Sequence, residues 1–579
     1  MEIPAAPEPA APDAAATATG REGRILGEEQ FFLLLSILIG IFAGLAVVCF
    51  RISIEWMRWR LLGSGLTPMA GRVWQVPAIV GLLVAVLVIL LFPRVRGSGV
   101  NQTKAALYIY DGYIPASTVI GKFITSALAI SSGQSLGPED PSLQVGAGLA
   151  SAIGRALRLS RNKLRLIAPV GAAAGLAAAF NSPITAVLFV IEEVIGRWSA
   201  GILGAVVLSA ISSVVVERWF LGSEPLFRVP GYKLHNPAEL AAYAVLGVVG
   251  GVASVVFVRL IKYLRPRLKK LPAWTQYLQP AVAGLLIGLI AMRFPQVMGA
   301  GYDYIDQAMH DQYTWQLLAG LAGLKILSTV LSFTSGTPGG LFAPTLFIGA
   351  MLGGAVGDVE RHFFPHLTGS IGAYALVGMG TAFAGILRAP MTSVFMILEV
   401  SGNYEIILPV IISNAIAYLI SRSMEHTPIF DVLSRQDGLD LPSLEEDREL
   451  AVMRVEDAMR PAEEAHVLDE YKLPTPEEVA AWKDDFFLVR QRSGHWGGIT
   501  RESLLKMLST EDPREREALV APLPHLYPDH ALDIALRQIR DWPFLPVVHR
   551  ASAYSLVGII ALSDIVETYG RTARARSKA

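Results

Sequence analysis

From residue 31 to residue 436 the chain runs in long apolar blocks, whereas 437–579 mixes polar and apolar positions as a soluble protein does. The blocks lie at about 31–62, 75–94, 117–131, 141–154, 165–180, 183–195, 199–217, 237–263, 277–293, 315–334, 343–357, 370–387, 389–401 and 405–422. A helix crosses a bilayer in about 20 apolar residues, so the first block is long enough and those at 141–154 and 183–195 are not. The blocks are separated by Gly, Pro and Ser rather than by charged loops. Short, interrupted apolar segments in matching places of two halves are the sequence pointer to a transport site. The pattern predicts an all-α polytopic membrane domain over 26–436, a linker at 437–451 and a smaller soluble domain over 452–579.

The halves match. Residues 122–154 align without a gap on 325–357 at a constant offset of 203, so that Lys122 meets Lys325, Gly137 meets Gly340 and Pro141 meets Pro344. A second pair aligns at an offset of 207, where Pro183, Thr185 and Glu192 meet Pro390, Thr392 and Glu399. Glycines, prolines and ionisable residues in register make chance similarity a poor explanation, and repeats of about 31–217 and 237–436 follow. Duplicated transporter folds often invert the second copy and place the substrate site between the two near the bilayer midplane.

Three breaks fall where an apolar segment must stop or start: Gly97-Ser98-Gly99-Val100, Gly137-Pro138-Glu139-Asp140-Pro141 and Gly339-Gly340-Leu341-Phe342-Ala343-Pro344. Irregular backbone survives at membrane depth only when buried in protein or lining a wet cavity. A helix starting there offers free N–H groups and the positive end of its dipole, which suit an anion. A weakly held halide is the natural ligand, because conduction requires release as well as binding.

In order and spacing the three breaks resemble the GSGIP, GREGP and GxFxP signatures of the CLC chloride channel and H+/Cl− antiporter family, across 31–436. The resemblance implies a CLC-type fold with duplicated inverted repeats. Chloride would be held by Ser98, Gly99, Gly340 and the N–H groups of Leu341 and Phe342, with Phe430 at the inner end. Glu139 sits in the slot of the gating glutamate, whose carboxylate competes with chloride and lets go when protonated. Glu193 matches the inner proton-transfer glutamate of proton-coupled members; its other reading is a helix-end residue snorkelling out before Arg197. The resemblance also implies a homodimer with one path per subunit.

The sequence departs from that pattern. Asn101 replaces the proline of GSGIP, Pro138 and Asp140 replace the arginine and second glycine of GREGP, and Phe430 stands where a chloride-contacting tyrosine is usual. Phe430 has no hydroxyl to donate, which puts tight inner-site binding and the coupling ratio in question. Asp140 adds a carboxylate that would act on the ionisation of Glu139, repel anions or face away. Lys122 and Lys325, in apolar helices, are read as partners for carbonyls rather than long-range anion attractors. Glu192, with its counterpart Glu399, is read as a structural residue shared by the repeats.

Composition adds little. Lys+Arg 49 against Asp+Glu 50 leaves no bias toward nucleic acid. The single cysteine, Cys49, excludes an internal disulfide. Residues 1–25 are Ala/Pro-rich and are expected to be disordered, without the order of a signal peptide. The segment 452–579 resembles a pair of CBS modules, an α/β domain on the cytoplasmic side. Its first module opens at Val455–Met459 with a strand and helix; its second has strands near Leu545–Val548 and Ser555–Ala561, then a helix from Ser563. Such pairs bind adenine nucleotides or serve only to stabilise a dimer. The basic end RTARARSKA reads as a solvated tail. No metal site, other cofactor or enzymatic nucleophile is expected. The expectation is a multi-pass protein of the cell membrane exchanging chloride for protons; the alternatives are a passive, voltage-gated type channel, a fluoride/H+ antiporter and an anion sensor signalling through the tail.

Overall fold

The computed structural model describes residues 28–63, 71–196, 200–224, 226–227, 237–364, 369–439, 441–442, 453–469, 473–482, 484–491, 495–510, 512–539, 542–550 and 552–578. The expected disordered stretch 1–25, most of the 437–451 linker and Arg197 lie outside them. The chain forms two units, Met1–Leu441 and Pro442–Ala579.

The first unit is helical. Eight of its described helices are long and apolar enough to cross a bilayer, among them Glu28–Leu62, Arg72–Leu90, Glu239–Lys269 and Trp315–Thr334. Others are short, such as Ala116–Ser131 and Pro390–Ser401, as expected of interrupted segments. Three described helices of this unit lie outside the predicted apolar blocks because they are short and only partly apolar: Gly99–Tyr108, Tyr302–Met309 and Ile429–Gln436.

Packing repeats with the sequence. Helices Glu139–Ala156 and Arg161–Phe180 cross at Gly146 and Gly171, where a Cβ on either would sit 2.2 Å from the other's carbonyl oxygen. Their counterparts Phe342–Phe363 and Ile371–Leu387 cross at Gly349 and Gly378, with the same conflict at 2.1 and 2.2 Å. Small residues let backbones touch where lipid offers no hydrophobic drive to associate.

The copies meet around an approximate two-fold. Gly137 N–H donates to Gly340 O at 2.9 Å and Gly340 N–H to Gly137 O at 2.8 Å, an antiparallel bridge between repeat-equivalent residues. The glutamates obey the same symmetry. Glu192 accepts from Thr392 N (2.9 Å) and Oγ1 (2.7 Å), and Glu399 accepts from Thr185 N (2.7 Å) and Oγ1 (2.6 Å). Each repeat thus caps a helix N-terminus of the other, where a carboxylate satisfies free N–H groups and the dipole. The lysines do so too: Lys122 Nζ donates to the carbonyls of Val95 (3.3 Å) and Gly97 (2.9 Å), and Lys325 Nζ to those of Val297 (3.1 Å) and Gly299 (2.7 Å).

The second unit is α/β. Its strands are β1 (Arg460–Pro461), β2 (Val467–Asp469), β3 (Phe486–Arg490), β4 (Trp496–Thr500), β5 (Ala521–Pro522), β6 (Phe544–His549) and β7 (Ser552–Ala561). They form two sheets, ordered β2-β3-β4-β5 and β1-β7-β6. β2 runs parallel to β3; the other pairs are antiparallel. β1 therefore leaves its sequence neighbours to join the sheet of the last two strands. One expectation needs correction. Val455–Asp457 is a 3-10 turn, not a strand, because Val455 and Glu456 N–H groups bind the His530 and Pro528 carbonyls. The helix Leu562–Lys578 runs on through the basic end.

Candidate ion path

Three helix N-termini converge beside the Gly137–Gly340 bridge. Gly97, at φ +89°, turns the chain so that Ser98 caps the Gly99–Tyr108 helix, its Oγ accepting from Val100 N at 3.2 Å. Glu139 and Asp140 open the Glu139–Ala156 helix. Phe342 opens the Phe342–Phe363 helix just past Gly340 and Leu341. A glycine is required at 340, where a Cβ would meet Asp140 Cβ at 2.9 Å and Gly137 O at 3.0 Å.

The adjacent carboxylates turn to different helices. Glu139 is fully buried, and its Oε2 accepts from Ala343 N at 3.3 Å; its Oε1 has no hydrogen-bond partner among the described residues. Asp140, 2% exposed, accepts from Ser98 Oγ (2.8 Å), Gly99 N (2.8 Å) and Val100 N (3.1 Å), with Lys122 Nζ 3.8 Å away. Of the three outcomes expected for Asp140, facing away is not what the structure has: the carboxylate faces the Ser98 end of the site.

The residues expected to line the path fall into this cluster, with Phe430 at its edge. The Phe342 ring packs against Phe180, Phe189, Phe383 and Phe430, with centroids 5.0–6.4 Å apart. Asn101, in the place of the family's proline, donates from Nδ2 to Phe430 O at 2.8 Å and ties the last helix to the Ser98 helix.

Glu193 is not snorkelling. It lies in a π-type turn, Val190–Ile195, and forms a buried ion pair with Lys104 of the Gly99–Tyr108 helix, the side chains being 10% and 2% exposed. Sequence reading missed Lys104. The signal was available: an intramembrane carboxylate needs a partner, and Lys104 is a cation six positions beyond Ser98.

Two clefts flank the cluster, the first lined by Glu55 and Asp303 as well as by arginines, the second with a basic excess. One, beside Pro138, is walled by Arg51, Arg58, Tyr302 and Tyr304, so Arg51 brings a cation near the position where the family's arginine is missing. Arg51 also pairs with Glu217 at 2.8 Å. The other, beside Gly97, is walled by Arg96, Arg265 and Lys269 together with Asp437.

Duplicated helices, broken at a shared buried point where their N-termini gather carboxylates, define an integral multi-pass membrane protein built around an ion path. A family model described as voltage gated chloride channel matches residues 80–422. A putative chloride channel protein ClcB-like of Ralstonia nicotianae is 31% identical over 421 residues, covering 70% of this chain and 97% of its own. The H(+)/Cl(−) exchange transporter ClcA of Yersinia pestis bv. Antiqua is 31% identical over 435 residues, 72% of this chain and 91% of its own. In fold, the chain is similar to a slow cyanobacterial Cl−/H+ antiporter (TM-score 0.65, 22% identity, 72% of this chain and 99% of the other). It is also similar to a eukaryotic CLC transporter (TM-score 0.61, 20% identity, 92% and 97%). The chain belongs to the voltage-gated chloride channel family.

Proposed function

We propose that this protein exchanges chloride for protons across a membrane, with Glu139 as the gate. The observation that carries the reading is the Glu139 carboxylate on the Ala343 N–H, at the start of a broken helix and beside the junction of the repeats. A carboxylate there holds an N–H group at the head of the helix that would otherwise be open to a halide, and protonation weakens its hold. Anion and proton then use one seat in turn, which is exchange. The basic cleft at Arg96, Arg265 and Lys269 would raise the local anion concentration at its approach. The relative named as an H(+)/Cl(−) exchange transporter supports the same reading.

Glu193 is the inner proton donor and acceptor in this scheme. Its buried pairing with Lys104 supports a second reading, a passive chloride channel, because a carboxylate locked to an ammonium surrenders its charge reluctantly. Flux in reconstituted vesicles separates the two. Under exchange, a chloride gradient drives protons, Glu139→Gln stops protons while chloride still passes, and Glu193→Gln does the same. Chloride flux with no proton movement in the unsubstituted protein selects the channel, and proton flux surviving both substitutions refutes the roles given to Glu139 and Glu193.

A further inference from the structure

We propose that Asp140 is a tethered anion: its carboxylate fills the seat at the head of the Gly99–Tyr108 helix, and an incoming halide must displace it, so Asp140 sets anion affinity there. The proposal rests on reading the chain as an anion transporter. Ser98 has one hydroxyl proton, and it goes to Asp140 Oδ1 at 2.8 Å. Two N–H groups of the helix's first turn go to the same carboxylate, Gly99 N to Oδ2 at 2.8 Å and Val100 N to Oδ1 at 3.1 Å. While those bonds stand, Ser98 Oγ shows a halide only lone pairs, and the charge approaching the seat is repelled by one already in it.

The fold does not need this carboxylate as a cap. The repeat supplies the control. Gly97, Ser98 and Gly99 correspond to Gly299, Ala300 and Gly301, since Lys122 and Lys325 bind the carbonyls of Gly97 and Gly299 alike. Asp140 corresponds to Ala343. The twin helix, Tyr302–Met309, thus has a methyl where its partner has the hydroxyl, an alanine where its partner has the carboxylate, and no side-chain cap. It forms nonetheless. Hydroxyl and carboxylate occur together on the one copy, whose helix head lies at the junction beside Glu139. Lys122, held by two carbonyls 3.8 Å from Asp140 Oδ2, is a fixed counter-charge for the carboxylate when a halide dislodges it.

A ligand fixed to the chain competes at a very high effective concentration, so removing its charge should tighten halide binding by at least about tenfold. The test is bromide located by anomalous diffraction, with chloride titration calorimetry, on the full chain and on Asp140→Asn and Asp140→Gly. Asn keeps the shape of Asp and Gly restores the family's residue, so a folding defect in one leaves the other. The expected result is bromide on Ser98 Oγ in both variants, none there in the unsubstituted protein, and the tenfold gain in affinity. Bromide on Ser98 with Asp140 unchanged, or no gain in either variant, overturns the proposal. Failure of the unsubstituted protein to move chloride in vesicles would sink the transport reading instead, while the bromide positions still decide whether Asp140 holds the seat.

Discussion

Removing Lys104 is the sharpest perturbation of this structure. Its ammonium and the Glu193 carboxylate form an ion pair with side chains 2% and 10% exposed, so neither charge is hydrated to any useful degree. Breaking a buried pair by deleting one partner costs about 3–5 kcal/mol, because the other is left charged in a poor solvent for charge. An exposed pair would contribute only about 0–1 kcal/mol. Lys104→Met and Glu193→Gln should therefore each destabilise the membrane unit by roughly 3 kcal/mol or more, less whatever the orphaned group recovers by changing its protonation. The double variant, with neither charge, should recover most of the loss. Equilibrium unfolding in mixed micelles, run as a double-mutant cycle, measures the coupling directly. Single variants within about 1 kcal/mol of the parent, or additive effects in the cycle, would mean that the pair is solvated and not buried.

Three further outcomes follow from the geometry. In Gly137→Ala the new Cβ would lie 2.3 Å from Glu139 Oε2 and 2.9 Å from Ala343 Cβ, so the carboxylate must leave its seat; the proton-to-chloride flux ratio should fall, and an unchanged ratio would contradict the placement of Glu139. Glu192→Gln and Glu399→Gln should destabilise the protein to similar degrees, by about 1–3 kcal/mol each for lost charge-assisted bonds, because each caps the other repeat; unfolding that responds to only one would deny the symmetry. Gly349→Val should abolish assembly of the membrane unit, since a Cβ there meets Gly378 O at 2.1 Å; a folded, monodisperse variant on size exclusion would contradict the packing.

Much of this was legible in the sequence because membrane burial writes its constraints locally. The apolar blocks gave the helices, and the register of Gly137 with Gly340 and of Glu192 with Glu399 gave the repeat. The three breaks came together as their chemistry required. What stayed hidden depends on the direction of single side chains across long sequence separations. Asp140 follows Glu139 in the chain, yet serves a helix 40 positions earlier, because successive residues of a first turn point different ways. Lys104 meets Glu193 across 89 positions and lies in a helix too polar to register as an apolar block.

The account stands or falls on the coupling of chloride to protons at Glu139. The reversal potential of the protein in a planar bilayer, at equal chloride on both sides and unequal pH, reads that coupling alone. It should sit away from zero and return to zero in Glu139→Gln. A reversal potential at zero before any substitution would make this chain a passive conductor and Glu139 no proton carrier.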